Sequence, residues 1–113
     1  MKRIAFVVSA WLPIAIAGLV VSAPAADPGV TVQLFKFRPE RLEVKAGARV
    51  TWTNQDEITH TVTSGKPGQK AEGFDLRLGG KGSSGTIDFP KAGTYPFFCE
   101  RHPAMFGEVY VTQ

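Results

Sequence analysis

The chain has 113 residues, 43% of them hydrophobic and 20% charged, with one cysteine and a formal charge of +3 from 13 basic and 10 acidic residues. That length holds one domain and excludes a second, and the single cysteine excludes an intrachain disulfide. With Lys2 and Arg3 set aside, 11 basic residues face 10 acidic ones, a charge of +1 with no basic stripe, so no nucleic-acid partner is indicated.

The N-terminus reads as an export signal. Lys2 and Arg3 form its basic start, an apolar stretch runs from Ile4 to Val21, and Ser22-Ala23-Pro24-Ala25-Ala26 offers small residues for cleavage, expected after Ala25. The chain thus divides into a signal peptide at 1–25 and one domain at 26–113, placed in the periplasm or otherwise outside the cytoplasm, with no membrane span in the mature form. The alternative is an uncleaved anchor, because the stretch approaches the ~18 residues that span a bilayer; against it, Pro13 and Gly18 interrupt the run and no stop-transfer cluster follows.

Beyond the signal, short runs rich in Val, Thr and aromatics alternate with Gly and Pro, and no apolar repeat of helical period is long enough to make a helix, so the domain is all-β. Strands are expected at Val30 to Phe37, Leu42 to Lys45, Arg49 to Asn54, His60 to Ser64, Gly85 to Phe89, Gly93 to Cys99 and Gly107 to Thr112. Alternate residues form apolar faces at Leu42 and Val44, Val50 and Trp52, Ile87 and Phe89, Tyr95, Phe97 and Cys99, and Val109 and Val111, which implies two sheets packed on one another. Turns fall at Lys45-Ala46-Gly47, Asn54-Gln55-Asp56-Glu57 and Lys91-Ala92-Gly93. The polar, glycine-rich segment from Gly65 to Ser84 is expected to cross between sheets, with a short helical turn around Phe74 to Leu78. Its Gly79-Gly80-Lys81-Gly82-Ser83-Ser84-Gly85 run fails the spacing of a phosphate-binding loop and is read as a flexible turn.

The chemistry is concentrated in Tyr95-Pro96-Phe97-Phe98-Cys99-Glu100-Arg101-His102-Pro103-Ala104-Met105-Phe106-Gly107. Thiol, imidazole and thioether recur there at three-residue intervals, between two expected strands. A thiolate with two imidazoles in a trigonal set, plus a weak axial thioether, suits copper cycling between Cu(I) and Cu(II). The loop holds three of the four donors, and the chain contains one other histidine, His60, at the start of an expected strand. An unpaired thiol exported to an oxidising compartment also needs burial or ligation. Zinc is the competing metal, but thioether sulfur is a poor zinc ligand. A Cys/His nucleophile is the competing chemistry; Glu100 and Asn54 are its only orienting candidates, without motif support.

Four stretches carry a resemblance: Phe37-Arg38-Pro39 with Leu42-Glu43-Val44-Lys45-Ala46-Gly47, Val50-Thr51-Trp52-Thr53-Asn54, His60-Thr61-Val62, and Gly93-Thr94-Tyr95 through Met105 and Gly107. Together they resemble the cupredoxins of the plastocyanin, pseudoazurin and amicyanin type. The resemblance implies a Greek-key β-sandwich with one copper ion near one end, His60, Cys99 and His102 as equatorial ligands and Met105 as the axial one. The short loop is similar to that of amicyanin. Thr61 stands where many cupredoxins have an Asn that braces the cysteine loop, and its hydroxyl is expected to make that contact.

The resemblance further implies a one-electron carrier rather than an enzyme. Transient redox partners are expected, a cytochrome, dehydrogenase or oxidase, with the protein itself a monomer. Electrons are expected to pass through His102, within an apolar rim of Pro67, Pro103, Ala104 and Phe106. The rival reading is a copper protein for storage, delivery or sensing.

Overall fold

The computed structural model describes residues 27–113, and the expected export signal and its cleavage point lie outside the described residues. Nine strands make two sheets: β1 (Gly29–Gln33), β2 (Lys36–Arg38), β3 (Arg41–Lys45), β4 (Ala48–Asn54), β5 (His60–Lys66), β6 (Gln69–Leu78), β7 (Ser84–Phe89), β8 (Gly93–Phe98) and β9 (Phe106–Thr112). One sheet has the order β2-β1-β4-β7 and the other β3-β9-β8-β5-β6. The described residues form no helix, as the sequence leads one to expect. Pairing is antiparallel except for β1 with β4 and β3 with β9, where the chain has crossed between sheets and returns parallel.

Two expectations are corrected. The run from Val30 to Phe37 is not one strand but the hairpin β1–β2, in which Val32 pairs with Phe37 and Gln33 with Lys36 around a two-residue turn at Leu34-Phe35. The physical reason is side-chain parity. Val30, Val32 and Phe37 are all buried, and one strand of period two cannot face two even positions and an odd one inward. The segment from Gly65 to Ser84 does cross between the sheets, as expected, but the crossing is confined to 79–83, between β6 of one sheet and β7 of the other, and the rest is regular strand. Lys66 and Gln69 close a hairpin, and β6 runs back along β5 with His60 opposite Leu78 and Val62 opposite Leu76. The expected helical turn at Phe74 to Leu78 is strand: Phe74, Leu76 and Leu78 alternate towards the core, while Asp75 and Arg77 face out.

The glycine-rich run after β6 is a turn, as expected, and is pinned. The Asn54 N–H donates to Ser83 O at 2.8 Å and the Gly82 N–H to Asn54 O at 2.7 Å.

Between the sheets, Trp52 of β4 is fully buried and meets Phe97 of β8 edge-on, ring centroids 5.4 Å apart, and Phe37 of β2 meets the same Phe97 at 4.8 Å. Burying each such side chain contributes about 1.5 to 3 kcal/mol. Phe97 therefore fixes β8 against the opposite sheet two residues before Cys99. Where β9 begins, Gly107 is enclosed: a methyl there would lie 2.7 Å from Phe97 Cζ and still closer to the Glu40 carbonyl oxygen. Gly107→Ala is expected to cost about 1 to 3 kcal/mol through overpacking, measurable as a lower denaturation midpoint at unchanged slope; a midpoint equal to that of the wild type would contradict this packing.

Candidate metal centre

The end of β4, the start of β5, the end of β8 and the β1–β2 turn meet at one end of the sandwich, because β1 runs parallel to β4 and β8 antiparallel to β5. Three of the four residues singled out in the sequence come together there. The donor atoms of His60, Cys99 and His102 all lie within 4.8 Å of one another. Cys99 Sγ is 3.8 Å from His60 Nδ1 and 3.8 Å from His102 Nδ1. His60 and Cys99 are fully buried, and His102 is partly exposed. Met105 is buried beside Cys99 in the core, and the loop between them closes on itself: the Cys99 N–H donates to Met105 O at 3.0 Å and the Met105 N–H to His102 O at 2.8 Å.

One thiol sulfur with two imidazole nitrogens facing it at 3.8 Å is a donor set that suits a first-row transition metal such as copper.

What holds these donors was partly missed in the sequence. The His60 Nε2 pairs with Asp56 Oδ2 at 2.8 Å, which leaves Nδ1 to face the sulfur. Asp56 also accepts the backbone N–H groups of Leu34, at 2.8 Å, and Phe35, at 3.0 Å. Partial burial pushes the Asp56 carboxyl up, but these two N–H groups and the His60 imidazole outweigh it and hold the group below the ordinary aspartate range. The signal was present as a carboxylate four residues before the histidine, but it lay in what reads as a plain turn.

Neither candidate for orienting a nucleophile does so. Asn54 is buried and spends its amide on Ile58 O and Leu78 O, at 2.8 and 3.2 Å, and its Oδ1 on the Asp56 N–H. Glu100 pairs with Lys70 at 2.9 Å.

Thr61 makes the expected brace. Its N–H donates to Cys99 Sγ at 3.4 Å, and its hydroxyl accepts the Glu100 N–H at 2.9 Å. The Thr61 hydroxyl also bonds that of Thr63, which donates to Asp75 Oδ1 at 2.9 Å, and Lys70 bridges Asp75 and Glu100. Hydrogen bonds to Glu100 and Asp75 raise the Lys70 ammonium above its ordinary range. The ring of bonds ties the first turn of the loop to β5 and β6.

Fold and site together define a small two-sheet protein with one Cys/His metal centre at an end of the sandwich. The profile of the copper binding proteins, plastocyanin/azurin family, matches residues 25–112, and the chain belongs to this family. It is 37% identical over 95 residues to amicyanin-alpha of Methylorubrum extorquens, covering 81% of this chain and 77% of that protein. To the chloroplastic plastocyanin of Tetradesmus obliquus it is 36% identical over 110 residues, covering 87% and 76% respectively. Among solved structures, the purple cupredoxin from Nitrosopumilus maritimus superposes with a TM-score of 0.69 at 27% identity, over 76% of this chain and 100% of that one. The cupredoxin resemblance, its fold and copper as the family's metal are thereby established.

Asp56→Ala removes the partner of a buried imidazole and the acceptor of two turn amides. It is expected to cost about 2 to 3 kcal/mol in the metal-free protein and to weaken copper binding by about 10- to 100-fold, measured by chemical denaturation and by competition with a chelator. Unchanged values in both would contradict the role given to this carboxylate.

Proposed function

We propose that the protein is an exported one-electron carrier in which His60, Cys99 and His102 would hold one copper ion and Met105 would add its thioether. The observation that carries this reading is the pair of equal 3.8 Å sulfur-to-imidazole separations within a buried pocket. Copper bound there supplies the Cu(I)/Cu(II) couple. The chain's own residues keep the donors in place. Cys99 is shut from water and oxidants, His60 is locked by Asp56, and the Thr61 N–H stabilises negative charge on the sulfur.

His102, the ligand nearest solvent, is the route for the electron. The expected rim residues Pro67, Pro103, Ala104 and Phe106 are exposed. The large exposed apolar side chains among the described residues are Leu34, Phe35, Ile58 and Phe106, all on segments that build this end of the sandwich. Such a patch suits a small, transient contact with a redox partner such as a cytochrome, dehydrogenase or oxidase. Membership of the plastocyanin/azurin family supports a carrier over an enzyme. The segment 1–25, with its basic start and apolar run, directs export, and the domain at 26–113 functions as a monomer outside the cytoplasm.

Adding Cu(II) to the purified protein is expected to give an intense thiolate-to-copper visible band that bleaches reversibly on reduction and vanishes in Cys99→Ser. A colourless product, or colour that survives Cys99→Ser, would sink the reading. Met105→Leu is expected to keep copper and raise the reduction potential. Copper handed over to an acceptor during turnover, in place of electrons, would favour delivery over electron transfer.

A further inference from the structure

The turn between β1 and β2 breaks a local rule at some cost. Two-residue hairpin turns that need positive φ at both positions are filled by Asn and Gly, yet here Leu34 stands at φ 52° and Phe35 at φ 58°. Neither is a residue that adopts this conformation without strain. Nor does burial explain the choice, because Leu34 is 67% and Phe35 51% exposed. Asp56 holds the turn through backbone N–H groups alone, which any residue pair would supply. The fold therefore needs the turn but not these side chains.

The Phe35 ring rests on the two imidazoles. It meets His60 at 5.5 Å between centroids and 88° between planes, and His102 at 5.0 Å and 84°; the imidazoles themselves are 5.1 Å apart. For His60 this contact is redundant, since burial and Asp56 already fix the ring. His102 differs. It is partly exposed, and among the described residues its Nε2 has no hydrogen-bond partner. Edge-to-face contact with the Phe35 ring is what limits its rotation from the solvent side.

We propose that Phe35 is a positioning residue of the metal centre, its ring presented by a strained turn so as to hold the His102 imidazole in the orientation that completes the donor set. Asp56 links the parts, since one carboxylate sets both the His60 imidazole and the turn that carries Phe35. This rests on the reading of His102 as a ligand.

Two variants separate positioning from packing. Phe35→Leu keeps an apolar side chain without the ring, and the double variant Leu34→Asn/Phe35→Gly supplies the residues that the turn geometry prefers. In the metal-free protein, nuclear relaxation of the imidazole carbons is expected to show the His102 ring loosened in both variants and the His60 ring unchanged. The melting temperature of the double variant should equal or exceed that of the wild type, while its loaded form releases copper to a chelator about 10-fold faster. A packing contact would move stability and release in the same direction. The proposal stands only if His102 loosens and release quickens with the melting temperature held or raised; any other combination overturns it. Failure of the copper reading would show separately, as a wild type without the thiolate-to-copper band, and the ring relaxation of the metal-free protein then decides alone.

Discussion

The metal end of this protein depends on one carboxylate serving three donors. Asp56 sits in the loop between β4 and β5, with its own N–H bonded to Asn54 Oδ1, and reaches both across to the β1–β2 turn and forward to His60. It thereby joins the two sheets at the metal end of the sandwich. Charge-assisted bonds of this kind are stronger than neutral ones, and this one is partly screened from water, so it couples parts that apolar packing alone would leave loose. Asn54 underlies it. A buried amide that satisfies two carbonyls and one N–H sets the path of the loop before Asp56 is reached.

A second brace works from the opposite side. Asp75 only accepts and Lys70 only donates, so the hydroxyls between them and Glu100 have a single permitted order: Thr63 gives its proton to Asp75, Thr61 gives its proton to Thr63, and Thr61 keeps a lone pair for the Glu100 N–H. The amide after Cys99 is therefore held by a chain of aligned dipoles, not by one bond. Lys70 and Asp75 are exposed, and their ion pair by itself adds little to stability. Its contribution is to fix the sense of the chain.

The donor set was legible because the chemistry is sparse: beyond the expected signal, the chain has one cysteine, two histidines and one methionine, and their spacing carried the argument. The strands of the core were legible from period-two burial at Val50 and Trp52, or Val109 and Val111. What was not legible depended on contacts far apart in sequence. The turn at Leu34-Phe35 lacks the Asn-Gly that marks such turns and owes its shape to a carboxylate 22 positions from Leu34. The parity change between Val32 and Phe37 was visible, yet a run of β-formers masked it. In β6, the alternation of Phe74, Leu76 and Leu78 was outweighed by the glycines and charges around it, because an edge strand needs only one apolar face.

His60 and Cys99 lie 39 positions apart, and that separation has a consequence for how the protein acquires its metal. In the unfolded chain the loop from Cys99 to Met105 offers a thiol, one imidazole and a thioether, but the second imidazole arrives only when β5 and β8 have paired. Non-local pairing of this kind forms slowly, because chain entropy must be spent before contacts repay it. The complete site is thus a product of folding and not its nucleus. Metal that binds only the finished site adds its binding free energy to the native state alone. Loading then acts as a latch, closing on a domain that its core has already assembled.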